Sequence, residues 1–84
     1  MLPIQDLLNR IRWDLKYEGS SFEIGYLDHV QKAIVRVPFG MVRFEPGNRF
    51  AFDFEDEEGE IRSIPLHRIG EVYRDGILIW KRPS

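Results

Sequence analysis

Apolar residues near the start of the chain fall at Ile4, Leu7, Leu8 and Ile11, the i, i+3, i+4, i+7 spacing of one buried helical face. The pattern predicts a helix over Pro3 to Arg12. Pro3 suits the first turn, where its missing N–H is no loss. Arg10 and Arg12 lie off the apolar stripe and are expected to reach solvent or a ligand. Trp13-Asp14 closes the element, and Glu18-Gly19-Ser20-Ser21 reads as a loop because its Gly and Ser content ends a helix.

From Phe22 the period changes to two. Phe22, Ile24 and Tyr26 share one face of a strand ending at Asp28, with Glu23, Gly25 and Leu27 on the other. Asp28 to Lys32 is a polar turn, and Ala33 to Val37 returns as the partner strand. After the turn signal Glu45-Pro46-Gly47-Asn48, Phe50 to Phe54 forms the next strand, Glu57-Glu58-Gly59 its tip and Ile61 to Ile64 its partner. Ile69 to Tyr73 and Ile77 to Trp80 flank Arg74-Asp75-Gly76, and Asp-Gly between apolar runs is a strong hairpin signal. The polar tail Lys81 to Ser84 is expected to fray. The pattern as a whole predicts an α+β domain spanning 1–84. In it an N-terminal helix packs on an antiparallel sheet, or plugs a half-open barrel, of about six short strands.

Two stretches of this pattern match. Ile34-Val35-Arg36-Val37-Pro38-Phe39-Gly40-Met41-Val42 lines up with Ile61-Arg62-Ser63-Ile64-Pro65-Leu66-His67-Arg68-Ile69, and each follows an alternating aromatic strand and a polar turn. The chain therefore reads as two β-hairpins of related design, each ending in a proline corner. A proline stops a ladder of strand hydrogen bonds, since it fixes φ and offers no N–H. Where the first copy carries Gly40 and Met41, the second carries His67 and Arg68. A corner needs no charge to turn, so this pair is a candidate site.

Composition narrows the setting. Of 84 residues, 43% are hydrophobic and 13% aromatic, enough for one core burying about 60–65% of the unfolded chain's surface. No cysteine is present, which excludes disulfides and thiolate metal sites and suggests a reducing, cytoplasmic setting. No apolar run approaches a membrane span, and no basic segment followed by an apolar one opens the chain, so no membrane association is expected. The formal net charge is −2. Six of the fourteen acids crowd into Asp53 to Glu60, where they read as a solvated turn. The remainder is mildly basic, with twelve Lys and Arg against eight Asp and Glu. That balance permits a local phosphate site, without the basic stripe of a duplex binder.

Candidate chemistry is sparse. The two histidines, His29 and His67, have no companions at metal-ligand spacing, and no phosphate-loop or nucleophile-elbow motif occurs. Neither a metal, another cofactor nor a catalytic residue is expected. Binding suits the residues better: Arg68 can fork onto phosphate oxygens, and the His67 imidazole can donate a hydrogen bond. The alternative reading makes His67 a core histidine and pairs Arg68 with Asp14 or Asp28. Trp13 and Tyr26 offer flat faces for an unpaired base, and Asp14 can accept from a ribose hydroxyl, although a tryptophan after an amphipathic helix also reads as a core plug. Trp80, with no polar company, reads as packing.

Leu8-Asn9-Arg10-Ile11-Arg12-Trp13-Asp14, Ile24-Gly25-Tyr26-Leu27-Asp28, the Ile64 to Ile69 stretch and Gly76-Ile77-Leu78-Ile79-Trp80 together resemble the RNA cyclic group end recognition domains. The resemblance runs from the helix to Trp80, and Pro-x-His-Arg-Ile with its downstream Trp is its most specific part. It implies binding of single-stranded RNA ends that bear a cyclic phosphate or a similarly processed group, with RNA-processing proteins as companions. By position it implicates Arg12, Trp13, Asp14, His67 and Arg68. The chain departs from the family pattern at Leu15, where a proline often follows Trp-Asp, and in its acidic hairpin tip. Two other readings stay open. One is a protein-interaction module using the Phe50 to Phe54 strand and the acidic tip; the other is weak ribonuclease activity through His67 and His29.

Overall fold

The structure, a computed structural model, describes residues 2–83. Helix α1 (Ile4–Trp13) follows Pro3 at its N-cap and buries Leu7 and Leu8, with Ile4 and Ile11 packed partly against the same core. Arg10 and Arg12 are exposed, as the stripe predicts. Trp13 is 74% exposed, which overturns the core-plug reading. Position 13 does not continue the 4, 7, 8, 11 series, so its ring leaves the helix on the solvent side. Asp14 is extended at the C-cap, and a short 3-10 turn over Leu15–Tyr17, absent from the expected pattern, follows it.

Seven strands follow rather than about six: β1 (Phe22–Asp28), β2 (Ala33–Pro38), β3 (Val42–Arg43), β4 (Ala51–Glu55), β5 (Ile61–Pro65), β6 (Ile69–Arg74) and β7 (Ile77–Lys81). They pair antiparallel in two sheets, ordered β2-β1-β6-β7 and β3-β4-β5. The additional strand β3 has two residues, too few to show an alternation. In the β6–β7 turn Asp75 and Gly76 both adopt positive φ (51° and 83°), the geometry that the Asp-Gly signal demands.

The near-repeat is structural. Ile24 lies opposite Val37 in the first hairpin, and Phe52 opposite Ile64 in the second. Pro38 and Pro65 have nearly the same backbone angles (φ −58°, ψ 135° and φ −59°, ψ 139°), and each opens a single 3-10 turn, Phe39–Met41 or Leu66–Arg68. Each corner then delivers the chain to the opposite sheet. Val42 of β3 pairs with Phe54 of β4, and Ile69 of β6 pairs with Tyr26 of β1. Tyr26 and Phe54, equivalent in the two copies, meet in the core with ring centroids 5.8 Å apart. Ile24, Phe52, Ile69 and Val72 are fully buried around them. Trp80 is buried too, its Nε1–H donating to the Leu2 carbonyl at 2.8 Å, in agreement with a packing role.

The tail is more ordered than its polarity predicts. Lys81 belongs to β7, and Arg82 donates from Nε to the Ile69 carbonyl (2.8 Å) and from Nη2 to the Leu66 carbonyl (3.2 Å). The expectation for Ser84 falls outside the described residues.

Candidate nucleic-acid interface

At the C-terminal end of α1 the Arg12 guanidinium lies 5.2 Å from the centroid of the Trp13 ring and 4.8 Å from that of Phe44. Cation–π contact holds a guanidinium without neutralising it. Arg12 lines an open hollow of about 560 Å³ bounded by Gln5, Asp6 and Asn9 of the helix, Phe44, Glu45 and Arg49 of the β3–β4 loop, and Leu66 of the second corner, so two carboxylates share its walls with the two guanidinium groups. Among the described residues the ion pairs are Lys16–Asp14, Arg36–Glu23 and Arg62–Asp56. Arg12 and Arg49 therefore line the hollow without an ion pair to either Asp6 or Glu45. Arg49 and Phe44 carried no sequence signal, because only the fold brings their loop to the helix.

Asp14 is largely committed to structure. Its Oδ1 accepts the Lys16 N–H at 3.1 Å, capping the short turn that follows.

The second corner separates its two polar residues. His67 is exposed, which rules out the buried-histidine alternative, whereas Arg68 is half-buried and its Nε is enclosed without a hydrogen-bond partner. The charge of Arg68 contributes to holding the Asp28 carboxyl below its ordinary value, after the larger effect of backbone hydrogen bonds from Val30 and Gln31. No Arg68 ion pair with Asp14 or Asp28 forms among the described residues. Neither His67 nor Arg68 lines the Arg12 hollow, which the corner borders through Leu66. The bend expected at Pro65 is present, but it gives the imidazole and the guanidinium different surroundings.

Tyr26 does not fit the stacking role. It is 3% exposed, with Phe52 at 6.1 Å and Phe54 at 5.8 Å between ring centroids, so neither ring face is open to a base. Burial is also the main cause of its raised hydroxyl pKa. Its position on the apolar face of β1 enclosed it: the strand carries Phe22, Ile24 and Tyr26 inward together.

A second hollow, of about 460 Å³, lies between β2 and the acidic hairpin tip, with Tyr26, Met41 and Phe54 among its walls and Arg62 and Asp56 at its margin. Among the described residues no group of His, Asp and Glu side chains gathers as a metal site. Among the described residues no helix is long and apolar enough to cross a membrane.

These features describe a class: a small α+β domain whose exposed cations and aromatics border open hollows. Within that class the family is defined by sequence. The chain matches the MJ1316 RNA cyclic group end recognition domain over residues 1–82 and belongs to that family. It is also 31% identical over 84 residues to the UPF0248 protein SSO2687 of Saccharolobus solfataricus, covering 96% of this chain and 98% of that protein. No solved structure matches it.

Proposed function

We propose that this domain is a non-enzymatic RNA-binding module that holds the end of a single strand bearing a cyclic phosphate or a similarly processed group. The observation that carries the reading is the Arg12 guanidinium, set against Trp13 and Phe44 at the edge of an open hollow without an ion pair among the described residues. Arg12 meets a terminal phosphate oxygen and Trp13 stacks the last base, while exposed His67, outside the Arg12 hollow, offers a hydrogen-bond donor at the corner that borders it through Leu66. Arg68 adds positive charge at the corner, and Asp14 fixes the turn after Trp13. RNA is read mostly at unpaired ends and loops, which suits a compact surface with few cations. The family to which the chain belongs supports the same reading through its name.

The test is a titration of two short RNAs that differ only in ending with a 2′,3′-cyclic phosphate or a 3′-hydroxyl. The cyclic end is expected to bind more tightly, with a shallow log–log salt slope of about −1 from one or two phosphates. Arg12→Ala is expected to weaken the cyclic-ended RNA by roughly tenfold, as loss of a charge-assisted contact implies. Equal affinity for the two ends discards end recognition.

A further inference from the structure

Phe50 is 82% exposed and forms a bend just before β4, although the sequence alternation directs it inward with Phe52 and Phe54. Its counterpart in the first hairpin explains the anomaly. Phe22, two residues before Ile24 as Phe50 is before Phe52, is 6% exposed because Tyr17 and Phe39 cover its ring at centroid distances of 5.6 and 6.4 Å. In the second hairpin the residue equivalent to Phe39 is Leu66. The segment before the strand is the Glu45 to Arg49 loop, which provides no aromatic cover.

The backbone at Phe50 is nevertheless fixed. Its N–H donates to Asn48 Oδ1 at 3.0 Å, and its carbonyl accepts the Leu66 N–H at 2.7 Å. Asn48 and Leu66 are both walls of the Arg12 hollow, as is the preceding residue, Arg49. An exposed ring on a fixed backbone forfeits little freedom when it takes up a partner. Phe50 is not itself a wall of that hollow, but its neighbour Arg49 is, a guanidinium without an ion pair among the described residues and a group that suits a phosphate. Aromatic platforms next to cations are how single strands are held without base pairing.

We infer that Phe50 and Arg49 form a second nucleotide subsite: Phe50 stacks the base of the penultimate nucleotide, and Arg49 meets the phosphate that joins it to the terminal one. This inference rests on the reading of the Arg12 hollow as an RNA-end site and extends it by one nucleotide.

The full chain is titrated with adenosine 2′,3′-cyclic monophosphate and with a trinucleotide RNA carrying the same end. Phe50→Leu keeps apolar bulk and removes the ring, and at so exposed a position it leaves folding intact. It is expected to weaken the trinucleotide roughly tenfold and leave the mononucleotide unchanged, while Phe50→Trp retains trinucleotide affinity. Arg12→Ala is expected to weaken both ligands. If Phe50→Leu binds the trinucleotide as the wild type does, or loses both ligands equally, the subsite is overturned while the end-binding reading stands. If the wild type binds neither ligand, the end-binding reading fails and the subsite falls with it.

Discussion

Asp56 occurs within a run of acids, yet its carboxylate is fully engaged. Oδ1 accepts the N–H groups of Glu58 and Glu60, and Oδ2 accepts Arg62 Nε, each at 2.9 Å. The Arg62 hydrogen bond is the largest cause of its lowered pKa. Asp28, at the matching place in the first hairpin, accepts from Val30 and Gln31 at 2.8 and 3.3 Å and is lowered chiefly by those two bonds. A carboxyl whose folded pKa is depressed binds its proton more readily in the unfolded chain. Both residues therefore stabilise the fold fully above the unfolded value of about 3.9, and their contribution is lost as pH falls through the folded values. Urea midpoints measured from pH 7 to pH 3 are expected to drop below about pH 4. Asp56→Asn is expected to lower the midpoint at pH 7 and to converge on the wild type in acid; parallel curves would show that the charge contributes nothing. Among single residues, those of the candidate surface were unevenly legible. Arg12 stood off the helical stripe and proved exposed, whereas Trp13, read as a core plug, proved to be in solvent because position 13 falls off the 4, 7, 8, 11 series. The exposure of Phe50 was hidden, because whether a ring finds a cover depends on residues distant in sequence.

Between residue and whole molecule stand the two proline corners. Their equivalence was legible because proline fixes φ and stops a ladder wherever it occurs. What the second corner leans on was not. Arg82, in a tail expected to fray, donates to the carbonyls of Leu66 and Ile69 and holds the turn that presents His67. Hydrogen bonds from a charged donor contribute more than neutral ones, so Arg82→Ala is expected to cost about 2 kcal/mol in a urea titration. Hydrogen exchange at Ile69, whose N–H closes the 3-10 turn onto Leu66, should accelerate as well. A change within about 0.5 kcal/mol, typical of surface substitutions, would mean that Pro65 and the β1–β6 ladder hold the corner alone. Strands β1 and β4 were readable because each buries one face. The two-residue β3 was not, and a proline signals where pairing stops without saying which sheet the next strand joins.

At the scale of the whole chain, that exchange of strands determines cooperativity. Each half supplies a hairpin and one crossing strand: β3 from the first half completes the sheet built on β4, and β6 from the second pairs with β1. Neither half can satisfy its central strand alone. Without β6, the edge of β1 that runs from Phe22 to Tyr26 loses its ladder, and Ile24 loses the cover of Val72 and Ile69. Without the first half, Phe52 and Phe54 lose Tyr26, and the second half loses the helix that buries Leu7 and Leu8 in the common core. A half of about 40 residues is also near the size at which a chain without disulfides or metals rarely folds. Cutting at the exposed Pro46–Gly47 turn should thus give fragments 1–46 and 47–84 that show no cooperative thermal transition separately. Mixed in equal amounts they are expected to regain the near-ultraviolet circular dichroism of packed aromatics and a single transition whose midpoint rises with concentration. A fragment that melts cooperatively alone would mean that one hairpin and its own contacts suffice, and that the crossing strands are additions to a finished unit rather than what completes it.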